Sequence, residues 1–259
     1  MAECGHSRAP KSGGADSDKI NYLPDMAHLY AGTSGWAYAS WKPKFYPAKL
    51  AAKKFLEYYA TRLNSVELNF TFRRFATEKL LTGWIASTPP HFVFSVKAHQ
   101  NITHIKRLRE AGEFTRSFLA SLQPLCEAGK IGTILYQLPP FLKCDAGLLR
   151  EFLALLPSTM RATFEFRNPG WFNEEIYSLL RDKNAALCLA ESEKLEVPEI
   201  YTANFAYFRL RKEEYSPAER KTTRARADQL MADGKDVFVY YKHEETPEGA
   251  MYAEELIKG

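Results

Sequence analysis

"ATFEFRNPGWFNEEIYSLLRDKNAALCLAE", residues 162–191, reads as a strand, a turn, a helix and a second strand. Thr163, Glu165 and Arg167 alternate with Phe164 and Phe166, the period of an extended chain. Residues 173–183 follow as a helix with Glu174 and Glu175 in the first turn, where acidic groups favour the positive end of the helix dipole. Residues 185–191 are apolar again and end on Glu191. A strand, a crossover helix and a second strand make parallel pairing the expectation.

The same unit recurs in both directions. Strands are expected at 29–36, 65–70, 92–98, 131–138, 162–167, 185–191, 205–211 and 236–242. Helices are expected at 48–63, 77–87, 113–128, 146–156, 173–183, 217–234 and 247–257. Eight strands with intervening helices predict an α/β fold, a parallel eight-stranded (β/α)8 TIM barrel in a single domain over 28–259. An open doubly wound sheet is the alternative. Residues 192–204 are too short for a full helix with its turns. Residues 1–27, rich in Gly, Ser, Ala and charge, read as a flexible, disordered tail in which Cys4 and His6 have no role.

Composition narrows the function. The chain has 259 residues, a net charge of +4, 46% hydrophobic and 25% charged residues, ordinary values for a globular protein. The charge is too mild to argue for nucleic acid by itself, yet allows a locally basic cleft. Cys4, Cys126, Cys144 and Cys188 have no CxxC spacing, so neither a zinc site nor a disulfide framework is expected. With no apolar run of membrane-spanning length and no signal-peptide core, a cytoplasmic location and no membrane partner are expected.

The strand phase carries the chemistry. Glu67 and Asn69, Ser95 and Lys97, Gln137, Glu165 and Arg167, Tyr207 with Arg209 and Arg211, and Lys242 followed by His243 all fall near the C-terminal ends of strands. Barrel enzymes build their sites at that end. Six strands ending in inward polar groups argue for a site, because burying charge is costly unless it is paired or used. Internal neutralisation of Glu165 by Lys97 or Arg167 is the structural alternative. Glu67 and Glu165 are the candidate bases, and Lys97 an electrophile or Schiff-base nucleophile. His104 titrates near neutrality and is a candidate acid or base. Arg167 and Arg209 suit a carboxylate or phosphate. Trp36, Asn69, Gln137, Trp171, Lys242 and His243 complete the candidate substrate contacts. The turn 32–38 is either a phosphate cradle or a plain tight turn. Trp36, Trp41, Phe45 and Tyr46 are either a stacking rim or the core of a lid. His28 and His91 precede strands, and a structural role is expected for both.

The motifs "GTSGWAY" (32–38), "VELNFTF" (66–72), "FSVKAHQNITH" (94–104), "QLPP" (137–140), "FEFRNPGW" (164–171) and "YFRL" (207–210) together make the chain resemble the YecE-like family, domain of unknown function 72. The resemblance covers about 29–257 and implies a TIM barrel, but no established reaction. It marks Gly35, Trp36, Glu67, Asn69, Lys97, Thr103, His104, Gln137, Glu165, Arg167, Trp171 and Arg209 as family-like positions. Arg211-Lys212 and Lys242-His243 depart from the family pattern, which has His-Gly and a pair of asparagines there.

Three functional expectations follow. The first is an enzyme using acid/base chemistry on a small anionic substrate, with no cofactor and no metal. The second is a divalent-metal hydrolase or isomerase using Glu67, Glu165, Glu191 and a histidine. The third is a non-catalytic module binding nucleic acid or an anionic ligand.

Overall fold

The computed structural model describes residues 26–242 and 245–259. The expected tail up to residue 25 and His243 lie outside them. Eight parallel strands run in the order β1-β8-β7-β6-β5-β4-β3-β2. They are β1 Leu29–Thr33, β2 Ser65–Leu68, β3 Val93–Lys97, β4 Ile131–Gln137, β5 Ala162–Glu165, β6 Ala186–Ala190, β7 Phe205–Leu210 and β8 Asp236–Tyr241. The helices are α1 Phe55–Tyr59, α2 Glu78–Ala86, α3 Gly112–Ser121, α4 Gln123–Glu127, α5 Ala146–Leu155, α6 Glu174–Asp182, α7 Pro217–Ala232 and α8 Glu248–Lys258.

Side chains close the seam between β1 and β2. Asn64 accepts from the Ala31 amide at 2.9 Å and donates to the Leu29 carbonyl at 2.7 Å. The Tyr59 hydroxyl accepts from the Thr33 amide at 2.9 Å and donates to the Ser65 carbonyl at 3.0 Å. An amide and a phenol thus bind backbone groups that a ladder would otherwise satisfy. Gly32 permits this approach, because a Cβ there would lie 1.9 Å from the Ser65 carbonyl oxygen.

Two apolar layers follow from the alternation. Outward residues such as Val66, Phe94, Tyr136 and Phe164 pack under the helices. Inward Val93, Leu135, Ala186, Cys188, Phe205, Tyr207, Phe238 and Tyr240 fill the barrel. The interior is therefore a packed core with polar groups above it, as barrel geometry requires.

Local differences from the sequence reading have local causes. The helix expected at 48–63 is reduced to the 3-10 turn Ala52–Lys54 and the five-residue α1. The segment before it docks instead as a lid core: Trp41, Phe45 and Tyr46 are fully buried, and Tyr46 stacks on Phe55 at 4.3 Å. They are not a stacking rim. The helix expected at 113–128 breaks at Leu122 into α3 and α4, because Pro124 has no N–H and crowds the preceding turn. β2 ends at Leu68, since Asn69 turns into the helical region (φ −90°, ψ −16°). The 192–204 link has no helix, and Thr202 pins it by bonds to the Ala185 carbonyl and the Leu187 amide.

Candidate functional site

The deepest polar layer is a buried ionic triad. Arg209 on β7 donates from Nη2 to Glu67 Oε1 at 2.7 Å and from Nη1 to Glu165 Oε2 at 2.5 Å. Glu67 sits on β2 and Glu165 on β5, so the guanidinium spans the barrel. Each carboxylate has further donors. Ser34 Oγ reaches Glu67 Oε1 at 2.8 Å, and the Tyr207 hydroxyl reaches Oε2 at 2.6 Å. Gln137 Nε2 donates to Glu165 Oε1 at 2.8 Å. Burial opposes ionisation of Glu67, but Arg209 and the hydrogen bonds outweigh it, and its pKa falls to about 2. Glu165 is lowered by the same contest between burial and Arg209, with Arg211 and Gln137 assisting. Burial acts against the Arg209 charge, yet its two carboxylates hold it well above the usual arginine range.

This geometry changes three roles expected from the sequence. A carboxylate tied to Arg209 and held near pKa 2 is a weak base at neutral pH, so Glu67 is a poor fit for proton abstraction. Glu165 is held in the same way. Arg209 has both terminal nitrogens on carboxylates and only a buried, unpartnered Nε among the described residues. It is the centre of an ion triad and has no free fork for an anion.

Above the triad lies a second layer of different character. Lys97 points inward from the end of β3 and is part-exposed. Its ammonium lies 4.4 Å from the centroid of the Phe72 ring and has no carboxylate or hydrogen-bond partner among the described residues. Burial, then repulsion from Arg209, lower its pKa to about 8, against the attraction of Glu67 and Glu165. His104 packs edge-on against the same Phe72 ring at 5.0 Å and bonds through Nδ1 to Thr103 Oγ1 at 2.8 Å. Burial, then Lys97 and Arg167, lower its pKa, so the imidazole is neutral at pH 7. Thr103 and His104 ride on a π-helical turn, Asn101–Ile105, a bulged geometry that re-aims side chains.

Arg211 is the group the sequence reading left outside the site. Its side chain is part-exposed, and burial and Arg209 lower its pKa against the attraction of Glu165 and Glu67. Its backbone amide, with those of Lys212 and the Tyr215 hydroxyl, is bound by Glu191. Its guanidinium has no hydrogen-bond partner among the described residues. Its position is legible in the period-two phase of Tyr207, Arg209 and Arg211, which continues one residue past the end of β7.

The remaining candidates scatter. Arg167 is exposed just beyond β5, and Lys242 is exposed just beyond β8. Asn69 is half-buried, with Oδ1 lacking a partner among the described residues. Trp36 packs edge-on against Trp84 at 5.2 Å. Trp171 corrects the expectation of a substrate contact: it is fully buried, lies flat on Phe166 at 4.8 Å and donates to the Leu142 carbonyl. The 32–38 segment begins as a tight turn. The amides of Thr33, Ser34 and Gly35 are taken by Tyr59, the Tyr241 carbonyl and the Thr33 carbonyl, so they do not cradle phosphate. Glycine at 35 allows its φ of +106°, and the turn aims Ser34 at Glu67.

Among the described residues no three His, Cys, Asp or Glu side chains cluster as a metal would require, and Glu191, just after β6, accepts from donors in the loop after β7. No helix among the described residues is long and apolar enough to cross a membrane.

Fold and site together define a (β/α)8-barrel protein with an ion-paired floor and a cationic layer at its C-terminal mouth. The chain belongs to the family described as protein of unknown function DUF72, whose model matches residues 30–258. This agrees with the resemblance carried by the motifs. A DUF72 family protein from Thermotoga maritima MSB8 is 28% identical, with a TM-score of 0.78 over 89% of this chain and 98% of that one. A DUF72 family protein from Enterococcus faecalis V583 is 16% identical with a TM-score of 0.72, over 90% of this chain and 98% of that one, a likeness of fold. UPF0759 protein YunF of Bacillus subtilis (strain 168) is 30% identical over 159 residues, 58% of this chain and 54% of its own. The match thus spans about half the length of that curated relative.

Proposed function

We propose that the C-terminal mouth is the active site of an enzyme performing proton-transfer chemistry on a small anionic substrate. Lys97 and His104 exchange the protons, Arg211 and Arg167 attract the anion, and the Glu67–Arg209–Glu165 triad is a fixed floor. The observation that carries this reading is the part-exposed Lys97 amine, set beside Phe72 without a partner among the described residues and with a pKa near 8. A group of that pKa gives and takes protons efficiently near neutrality.

The test is anion-dependent stability. An anion that binds the folded chain stabilises it by about 2.7 kcal/mol at a hundred times its dissociation constant. Phosphate is expected to raise the melting temperature more than chloride at matched ionic strength. The gain should shrink in an Arg167→Met/Arg211→Met double variant, which leaves the triad intact. An equal phosphate gain in both proteins removes the anion site.

The rim supports a second reading. Arg73, Arg74, Lys106, Arg107 and Arg109 are exposed in the loops after β2 and β3, and Arg107 lies over the exposed Phe141 at 5.3 Å. Cations interleaved with an aromatic ring suit a single nucleic-acid strand. Filter binding across a salt series tests it, and absence of binding near physiological salt removes it.

A further inference from the structure

Two inward or half-inward lysines invite comparison. Lys130 donates to the Thr88 carbonyl at 3.0 Å, to Thr88 Oγ1 at 2.9 Å and to the Pro89 carbonyl at 2.5 Å. Three acceptors take up its three N–H groups just before β4, at the end opposite the mouth, while burial lowers its pKa. Lys97 has no such acceptors among the described residues. It faces an aromatic ring, with His104 on that same ring; burial and the guanidinium groups of Arg209 and Arg211 act against its charge, and the carboxylates of Glu67 and Glu165 act for it. That environment lets the ammonium release its proton more readily than an ordinary lysine does, with a pKa of about 8. Below it, two carboxylates share one guanidinium, leaving a net negative charge fixed in the floor.

We propose that Lys97 is a covalent catalyst that condenses with the carbonyl carbon of a small molecule whose anionic group lies a few bonds away, that group being held by Arg211. The inference rests on the reading of the mouth as an anion site. Lys97 gives its ammonium proton to the neutral His104, its nitrogen adds its lone pair to the carbonyl carbon, and the carbonyl oxygen becomes a hydroxyl by taking that proton from His104. The adduct nitrogen then bears two protons, and His104, beside the same Phe72 ring, carries one of them to that hydroxyl. The hydroxyl leaves as water, and a protonated imine remains on Lys97. No oxidant or reductant is consumed. The positive charge of the imine lies above the same negative floor that attracts the ammonium, so the floor keeps the imine protonated. The covalent bond turns the adjacent carbon into an acid, the chemistry lysine nucleophiles supply.

Borohydride trapping tests this with the full chain. Pyruvate represents a 2-oxo acid and dihydroxyacetone phosphate a phosphorylated ketone. Reduction of the imine adds the mass of the ligand less one oxygen atom, and peptide mapping locates it. Labelling of Lys97 near neutral pH is expected to exceed that of exposed Lys53 by about tenfold or more, since an amine with a pKa near 8 has a far larger unprotonated fraction than an ordinary lysine. It should vanish in Lys97→Arg. Label spread evenly over exposed lysines, or absent from Lys97 with both probes, overturns the imine. Lactate and glycerol phosphate, which lack the carbonyl, separate the two ideas by calorimetry. Their binding, weakened in Arg211→Met, without trapping overturns the covalent step and leaves the anion site. Neither binding nor trapping overturns both.

Discussion

Replacing Glu67 by Gln should destabilise the protein by an amount that depends on pH. Glu67 is fully buried and accepts three donors, from Ser34, Tyr207 and Arg209. The amide keeps the shape but sets an N–H against one of those donors and removes the charge opposite Arg209. Its folded pKa is about 2 against 4.5 for the free group. A lowered acid pKa stabilises the fold above the unfolded value, and the contribution disappears as pH falls through the folded value. The shift corresponds to about 3 kcal/mol at pH 7 and about 1 kcal/mol at pH 3. Glu67→Gln lacks this term at every pH. Urea melts of both proteins from pH 7 to pH 3 should therefore show a gap of about 3 kcal/mol that narrows by about 2 kcal/mol. A gap of constant size would refute the reasoning, because it would mean that shape and hydrogen bonding, and not the paired charge, carry the effect.

Two further substitutions probe the frame. Arg209→Met leaves two buried carboxylates facing each other without their cation and should cost about 3–5 kcal/mol, read as a lower urea midpoint; adding Glu67→Gln and Glu165→Gln should recover part of it, and no recovery would place the damage in packing. Tyr59→Phe removes the hydroxyl shared by the Thr33 amide and the Ser65 carbonyl and should cost about 1–3 kcal/mol, with faster amide exchange at Thr33; unchanged exchange there would mean the β1–β2 seam closes without it.

Much of the barrel was legible from alternation alone. The inward phase of Glu67, Lys97, Gln137, Glu165 and Arg209 follows from a period of two, and the structure places all five inside the barrel mouth. The phase does not extend past a strand end where the backbone turns. Asn69 leaves the β2 phase because the chain turns there, and Arg167 emerges into solvent once β5 has ended. Trp171 reads as a substrate contact from the sequence because it follows a strand within a motif. Its flat stacking on Phe166 depends on a turn at Asn168–Trp171 whose direction alternation does not encode. The break at Pro124 was visible in the sequence, but the apolar periodicity on either side masked it.

Sequence by itself determined the faces: period-two strands and period-3.6 helices oblige the chain to bury one set of residues outside the sheet and another inside it. Only the tertiary structure decided which inward charges meet. Arg209 lies 142 residues from Glu67 and 44 from Glu165, and β7 is adjacent to neither β2 nor β5. Their contact exists because the sheet curls until distant strands face each other across a few ångströms. Coulomb energy and desolvation depend on that separation and on burial, neither of which is written in residue order. The same closure left Lys97 with its pKa near 8 and set Arg211 close enough to feel the charges of Arg209, Glu165 and Glu67.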